Sequence, residues 1–463
     1  MQKLIAKYGL AAHLAILAVA PLFLFPFAGV KAVVVTLLWL SLVAACWTIF
    51  EPSVLRGEHL HEARCRILRE IGRDPLFWLM AGVVLMTGLR ALNTGVALAY
   101  DAEEAKWHMA QAVLSFLPGS VDRSGDLPFA AALSVTVLLS ACRHAMGRSA
   151  RMSFLLLASS LSGVASIVLH VAVNMGCPTA MSFVSRTTAA FSFVGFSFGV
   201  YFLAGLVGLF AVSENDWNKL LLLPVAAIGG NGAGVFSCAP VYQSASFSLA
   251  FAVLAAYVVF YSKWSLRASG KFKLALIGLT AIVLGGLLVL SSRSQAVLAE
   301  YQVAFQRQTP FPERFWEVRS MLSGISFRSW VSHLWIGAGV GAFPLCFRFG
   351  AHASDWTLLP SGAAAVSNGW WQVLAERGVI GLVLVVVPAG FLLFTYGRRL
   401  YGSFRDWEIP HPSCLLAPLL LTLSVALGFF DCSFMRIEAL MAVGALLSVS
   451  AASFPKRRQV KHV

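Results

Sequence analysis

Charged residues are scarce in this chain, and no long part of it has the composition of a soluble domain. Only 12% of its 463 residues are Asp, Glu, Lys or Arg, whereas soluble domains carry about 25%. The eight cysteines form no C-x-x-C pair, which argues against a cysteine metal site. Apolar residues make up 58% of the chain, and apolar runs of about 20 residues recur from end to end. The composition therefore excludes a soluble globular protein and predicts a polytopic membrane protein.

Acidic residues are also few: the chain has 21 Asp and Glu against 35 Lys and Arg, a formal charge of +14. In a soluble chain this excess could indicate nucleic-acid binding. Lys and Arg near span ends are retained in the cytoplasm, and alternating spans put most basic residues here on one side. The basic segments are residues 3–7, 56–73, 143–151, 263–273, 398–405 and 456–461. Topology therefore accounts for the charge, and we expect cytoplasmic termini and no nucleic-acid partner.

The predicted fold is all-α, a polytopic membrane protein with about twelve transmembrane helices and one large, partly helical external loop. Residues 1–291 hold the first nine spans, 292–377 form the large loop, and 378–463 hold the last three spans and a basic cytoplasmic tail. The predicted spans are residues 9–30, 31–50, 75–92, 128–142, 152–173, 191–213, 219–236, 245–262, 274–291, 378–397, 414–430 and 432–452. Function is expected in the external segments that are too long to be simple connections.

The first long external segment, residues 93–127, carries acidic residues near its middle. Trp107 and the apolar residues after it recur at helical spacing, so we expect an interfacial helix near 101–117. Asp101 is interpreted as its N-cap, because acidic residues are common in a first helical turn. The alternative is that Asp101 and Glu103 bind a divalent cation, as paired carboxylates can. We favour the cap and predict no metal site.

The second long external segment, residues 292–377, contains seven arginines but no lysine. A solvated surface would mix the two residue types, whereas the planar guanidinium group matches phosphate oxygens at two points. The segment therefore predicts an anionic partner. The alternative for any single arginine is that its side chain reaches lipid head groups. Arg293 is the strongest functional candidate, because it lies at the very end of a span, where an unpaired charge is costly.

Glycines are concentrated in two places. Residues 337–343 (GAGVGAF) superficially resemble a dinucleotide-binding loop, but they follow no predicted strand and lie on the external side. We interpret these glycines as permitting a tight non-helical turn or close backbone packing. Residues 229–234 (GGNGAG), in the seventh span, are expected to let helices approach closely, with a broken helix as the alternative. Asn231 among them is expected to hydrogen-bond to a neighbouring helix.

Tryptophans and cysteines near span ends have simple interpretations. Trp370 and Trp371 precede the tenth span and are expected to be interfacial anchors. The cysteines are interpreted as small apolar side chains. Because Cys177, Cys238 and Cys346 fall on the external, oxidising side, one disulfide among them remains open.

Five short motifs follow one another in order in the second half of the chain. They are residues 185–191 (SRTTAAF), entering a span, 292–294 (SRS), leaving another, 313–316 (ERFW), 337–343 (GAGVGAF) and 374–381 (LAERGVIG). In this order and with this sidedness, they resemble the O-antigen ligase and surface polysaccharide polymerase family of integral membrane glycosyltransferases. The specific similarity covers residues 185–395, whereas the first five spans are similar to the family in topology alone.

The resemblance implies transfer of a glycan from an undecaprenyl-pyrophosphate donor to a hydroxyl of an acceptor sugar, without a metal, another cofactor or a nucleotide sugar. It implies a location in the bacterial inner membrane, with the large loop and the active site facing the periplasm. The implied partners are membrane lipid, the lipid-linked donor and a saccharide acceptor, which is a lipid-linked repeat unit or lipid A-core. A chain-length regulator and a flippase are further partners that it allows.

The same resemblance implies a binding site for the pyrophosphate. Arg186, Arg293 and Arg314 match the arginine positions of the family, so we expect them to clamp this group. A sugar that leaves pyrophosphate leaves negative charge on a phosphate oxygen. Fixed guanidinium groups in a partly dry site stabilise that charge where water cannot.

One position departs from the family pattern. Members usually carry a histidine directly before the asparagine that is Asn368 here, and this histidine activates the acceptor hydroxyl. Here the position holds Ser367, which cannot act as a base near neutral pH. Catalysis then depends on donor ionisation, with Ser367 and Asn368 orienting the acceptor, or on Glu376 or His352. Glu376 is equally interpretable as a carboxylate at a helix start, and His333 as structural.

The leading functional hypothesis is a polymerase that joins lipid-linked repeat units into O-antigen, capsule or exopolysaccharide. Ser367 favours it over an O-antigen ligase that transfers glycan to lipid A-core, because ligases rely on the missing histidine. A flippase or transporter of lipid-linked saccharide is a further alternative, but it predicts two internally similar halves and charges at mid-membrane, and the sequence shows neither. A scaffold without catalysis is the last alternative.

Overall fold

The computed structural model describes residues 2–24, 36, 39–43, 60–93, 98–101, 106–109, 123–142, 144, 146, 148–177, 193–214, 222–238, 241–261, 313–352, 368–405, 413–430 and 437–451. Most of this part of the chain is helical, as the apolar periodicity predicts. The helices are α1 (Gln2–Leu24), α2 (Leu60–Gly72), α3 (Pro75–Leu92), α4 (Arg123–Cys142), α5 (Arg148–Asn174), α6 (Phe193–Glu214), α7 (Leu222–Cys238), α8 (Val241–Tyr261), α9 (Glu313–Ser332), α10 (Phe343–Gly350), α11 (Gly369–Arg405), α12 (Ser413–Gly428) and α13 (Ile437–Ala451).

Most predicted spans overlap one of these helices. Helix α3 has the bounds predicted for the third span, and it begins at Pro75, whose fixed φ suits a first helical position. In the described part of the chain, two helical stretches are long and apolar enough to cross a membrane, Ala150–Asn174 and Gly369–Ser403. The ninth predicted span, 274–291, lies outside the described residues. The count of twelve spans therefore stays a prediction.

The interfacial helix predicted near 101–117 is wrong where the structure describes it. Leu98–Asp101 (β1) and Lys106–Met109 (β2) form an antiparallel hairpin in which Tyr100 lies opposite Trp107. Asp101 therefore ends a strand and does not cap a helix. Tyr and Trp both favour strands, and pairing across the hairpin outweighs the weak helical spacing of the apolar residues. Glu103 and residues 110–117 lie outside the described part.

Helices α5, α6 and α7 pack closely through small residues. A Cβ atom added to Gly230 of α7 would lie 2.7 Å from the carbonyl oxygen of Gly163 in α5. Asn231, fully buried, donates hydrogen bonds of 2.8 Å to the carbonyl oxygens of Ser159 in α5 and Ala227 in α7. The predicted close approach is confirmed, and the alternative of a broken helix is wrong because α7 is continuous. Helix α1 packs on α5, and α4 and α13 complete this bundle.

The long helix α11 is interrupted at Gly378, whose φ of 64° and ψ of −166° are not helical. The part after the break is exposed along one apolar face that includes Val383, Val387, Phe391 and Phe394. The part before the break packs against α9 and α10, which form a small core of their own. The fully packed residues of that core are Leu322, Ile325, Phe343 and Phe347. The break in α11 therefore lies between an exposed apolar helix and the described part of residues 292–377.

Candidate functional site

Two glycine motifs meet at the break in α11. Gly337 has a φ of 71°, and a Cβ atom there would lie 2.3 Å from the backbone nitrogen of Arg377. A Cβ atom on Gly378 would lie 2.4 Å from the carbonyl carbon of Trp335. Both positions therefore need glycine for its left-handed φ and for space. The prediction that the 337–343 glycines permit a tight turn and close backbone packing is confirmed.

Backbone hydrogen bonds join the two motifs into one unit, which we call the glycine junction (residues 334–339 with 375–380). A broken helix leaves carbonyl and N–H groups without partners inside the helix, and such groups are costly away from water. Residues 334–339 supply the missing partners. The bonds are Ala338 N to Ala375 O at 2.9 Å, Gly339 N to Glu376 O at 2.9 Å, Val379 N to Leu334 O at 3.0 Å and Ile380 N to Trp335 O at 3.1 Å.

Arg90 is a charged residue that hydrogen-bonds to both halves of the glycine junction. It lies in the last turn of α3 and is only 2% exposed. Its Nη1 donates to the carbonyl oxygens of Ile336 at 2.7 Å and of Glu376 at 3.2 Å. Its Nη2 donates to the carbonyl oxygen of Gly337 at 3.5 Å. The guanidinium group thus binds carbonyls from both motifs, where the carbonyl end of the first α11 segment favours positive charge.

Glu376 is buried directly before the break, with 5% of its surface exposed. Its carboxylate accepts a hydrogen bond from the side-chain amide of Gln372, one turn earlier in α11. The interpretation of Glu376 as a helix-start carboxylate is wrong, because it stands near the end of the first helical segment of α11. The structure therefore places a catalytic candidate in the glycine junction.

Arg377 points from the junction toward another helix. Its guanidinium carbon lies 4.0 Å from the ring centroid of Phe129, near the start of α4, and both residues are buried. A desolvated cation over an aromatic face is stabilised by the ring quadrupole. Gly381 leaves room for this side chain, because a Cβ there would lie 2.1 Å from the Cβ of Arg377. The junction therefore gathers side chains from α3, α4 and α11.

His333 follows α9 and flanks the junction. Its backbone carbonyl accepts the N–H of Gly337 at 2.8 Å. Its Nδ1 lies 3.2 Å from the carbonyl oxygen of Ser329 and 3.0 Å from the hydroxyl of Ser332. Burial lowers the pKa of His333; the hydrogen bond to Ser329 opposes this shift, and the charge of Arg90 lowers the pKa further. The imidazole is therefore neutral at neutral pH.

Asn368 is the N-cap of α11. Its side-chain oxygen accepts hydrogen bonds from the backbone N–H groups of Trp370 at 2.9 Å and Trp371 at 3.3 Å. A capping role of this kind satisfies groups that a helix start would otherwise leave without partners. The same residue was predicted to orient the acceptor, and Ser367, its predicted partner, lies outside the described residues.

The predicted pyrophosphate clamp falls largely outside the described part. Arg186 and Arg293 lie outside it. For Arg314, in the first turn of α9, the structure describes the backbone but not the side chain. The clamp therefore stays a prediction. His352, the alternative base, is exposed just after α10.

Two of the three cysteines expected on the external side have described side chains. Cys177 and Cys346 form no disulfide. The hydroxyl of Ser329 donates a hydrogen bond of 3.0 Å to the sulfur of Cys346. Burial raises the pKa of the Cys346 thiol to about 11. Within the described residues, no group of three or more His, Cys, Asp or Glu side chains could hold a metal ion.

Sequence reasoning missed Arg90 and Arg377 as members of the site. A signal for Arg90 was present, because an arginine inside an apolar span is costly and marks function by default. Arg377 stood in the LAERGVIG motif but was counted only among the loop arginines. The partners of both residues depend on contacts between distant segments, which the sequence does not reveal.

No protein-family model matches the chain, and a comparison with curated proteins gives no match.

Proposed function

We propose that this protein is a membrane glycosyltransferase that polymerises undecaprenyl-pyrophosphate-linked repeat units into a surface polysaccharide. The observation that carries the proposal is the glycine junction. Its two halves overlap the GAGVGAF and LAERGVIG motifs on which the family resemblance partly rests, and buried Arg90, Glu376 and Arg377 lie at it. Charged residues held dry and close together are the physical requirement for stabilising charge that develops in a reaction.

The proposed sidedness is supported by which helix ends meet. Arg90 ends α3, Phe129 lies near the start of α4, and Glu376 precedes the break in α11, all ends assigned to the external side by the basic loops. At the opposite ends, His144 lies 3.2 Å from Asp74 and 3.4 Å from Glu70. Segments assigned to one side thus contact segments assigned to the same side.

The proposed membrane environment is supported by exposed apolar side chains. Val164, Ile167, Val168 and Val171 are exposed in the second half of α5, and large apolar residues are exposed along α11 after its break. Such contiguous faces are unfavourable in water and suit contact with lipid. We propose a multi-pass protein of the bacterial inner membrane, with cytoplasmic termini and the site facing the periplasm.

In the proposed reaction, an acceptor hydroxyl attacks the anomeric carbon of the donor sugar while the bond from that carbon to the pyrophosphate oxygen breaks. Arg186, Arg293 and Arg314 bind the pyrophosphate and stabilise its developing charge. Ser367 and Asn368 orient the acceptor, and Glu376 lies at the junction. Alanine at Arg293 or Arg314 is expected to abolish glycan assembly at normal protein levels, and intact assembly would refute the clamp.

A deletion strain tests the proposed function and separates it from its nearest alternative. A polymerase predicts single repeat units on lipid A-core after deletion. Bare core with accumulated lipid-linked polymer would instead identify a ligase, and unchanged polysaccharide would exclude both. Purified protein with lipid-linked oligosaccharide then tests catalysis directly, since a scaffold or flippase would form no glycosidic bond.

A further inference from the structure

We propose that His333 is the general base of this site and accepts the proton of the attacking acceptor hydroxyl at its Nε2. The inference rests on the glycosyl transfer proposed above and names the residue that performs its proton-transfer step. It reverses the interpretation of His333 as structural.

The hydrogen bonds of His333 determine which nitrogen can act as a base. The carbonyl oxygen of Ser329 can only accept a hydrogen bond, and the hydroxyl of Ser332 donates to this carbonyl at 2.8 Å. We therefore assign the ring proton to Nδ1, which lies 3.2 Å from the same carbonyl oxygen. In a neutral ring the lone pair is then on Nε2, the atom remote from the helix. Within the described residues, no group hydrogen-bonds to Nε2. The ring is thus oriented with its basic nitrogen available to a hydroxyl.

The backbone of His333 fixes the ring at the edge of the glycine junction. Its carbonyl oxygen accepts the N–H of Gly337 at 2.8 Å, and Gly337 in turn contacts the guanidinium group of Arg90. The side chain is half-buried, between the exposed end of α9 and the buried charges of the junction. This is the boundary at which an acceptor arriving from water would meet a dry site.

The electrostatic surroundings keep the ring unprotonated. The charged and titratable groups on the elements that meet there include Arg90 on α3, Arg328 on α9, Cys346 on α10, and Glu376 and Arg377 on α11. Burial and the positive charge of Arg90 both lower the pKa of His333 below its usual value, against the effect of Ser329. A neutral imidazole can accept a proton at neutral pH, which Ser367 cannot.

As the acceptor oxygen bonds to the anomeric carbon, its proton moves to Nε2 of His333. The bond between the anomeric carbon and the phosphate oxygen breaks, and its electron pair leaves with the lipid pyrophosphate. The imidazolium ion then returns its proton to water, which restores the base.

The test uses the purified full-length protein with lipid-linked donor and acceptor. H333Q is expected to lower kcat about 100-fold or more, the usual contribution of a general base, with the KM for acceptor little changed. H170Q, which alters an exposed histidine in α5, serves as the matched control and should keep wild-type kcat. Unchanged kcat in H333Q, or loss in H352Q with activity retained in H333Q, would overturn the inference.

Two readouts separate catalysis from folding. Imidazole added to H333A should restore part of the activity, whereas it would not repair a misfolded variant. Wild-type activity should fall at a pH below the usual histidine pKa of about 6.5, because the pKa of His333 is lowered and protonation removes the base. A wild-type profile that stays flat down to the pH at which the protein unfolds would overturn the inference even if every variant failed to fold. Absence of wild-type transfer at any pH would instead refute the proposed function.

Discussion

The packing of α5, α6 and α7 differs in kind from the packing at the glycine junction. In the first region, glycines with ordinary helical geometry let apolar helices approach, as where Gly230 meets Gly163. In the second, glycines with left-handed φ allow backbone to hydrogen-bond with backbone, and three charged side chains are buried beside them. The first region needs small residues at helical spacing, whereas the second needs specific residues from distant parts of the chain.

The difference shows which of the two regions contains features that are unfavourable for stability. Close packing of small residues in the bundle violates no local preference. The junction breaks a helix and buries Arg90, each of which is unfavourable by itself, and it needs glycine at three positions with positive φ. Such combinations persist where function requires them, which is why we place the site there.

The largest expected effect is that of Gly378→Ala. Its φ of 64° and ψ of −166° are essentially restricted to glycine, and the new Cβ would overlap the carbonyl of Trp335. We expect a loss of about 3 kcal/mol or more in stability, together with loss of transfer activity. Thermal unfolding in detergent measures the first effect. Gly390→Ala in the same helix is the control, because no atom lies within 4 Å of a Cβ there; equal losses in both variants would contradict the role of the break.

Arg90→Met should have the next largest effect. It leaves carbonyl oxygens of Ile336 and Glu376 without their charged donor, at a cost of about 2–4 kcal/mol. Arg90→Lys should lose less, because lysine keeps the charge but not the planar fork. Chemical or thermal unfolding of both variants provides the comparison. Arg69→Met, at an exposed position in α2, should change stability little, and a stable R90M protein would show that the junction closes without this residue.

Gly230→Ala tests the packing of α5, α6 and α7 and should have a smaller effect than the two substitutions at the glycine junction. The added methyl group would push α7 away from Gly163, but the backbone of Gly230 remains helical. We expect a loss of about 1–2 kcal/mol, with activity retained in the folded fraction. Gly229→Ala is an adjacent control, since nothing lies within 4 Å of its added Cβ. Unfolding midpoints that do not separate the two variants would argue against glycine-mediated packing here.

The smallest expected effect concerns the rate at which the Cys346 thiol is alkylated. Because the pKa of Cys346 is about 11, its thiol should alkylate slowly at pH 7.5 and faster as pH rises, while exposed Cys65 reacts readily. Since the pKa of Cys346 in the folded protein lies above the 9.0 of a free thiol, this thiol contributes stability below pH 9 that is lost toward pH 11. Mass spectrometry of labelled peptides measures both sites, and equal rates at pH 7.5 would contradict the burial of Cys346.

Local sequence features predicted much of the fold. The bounds of α3 follow from an apolar run that begins at Pro75 and ends before Asn93, and the tight packing at 337–343 followed from its glycines. The hairpin at 98–109 was missed, because strand pairing depends on a partner segment and local spacing indicated a helix. For the same reason, the sequence identified the two motifs of the junction but not that they contact each other, nor that Arg90 binds both.

The break at Gly378 also has a mechanical consequence. Residues 369–377 pack against the segment that runs from α9 to α10, and Val379 and Ile380, just beyond the break, hydrogen-bond to the same segment. This segment therefore holds α11 on both sides of Gly378. A displacement of the segment would carry Glu376 with it and would also pull on the first turn of the helix after the break.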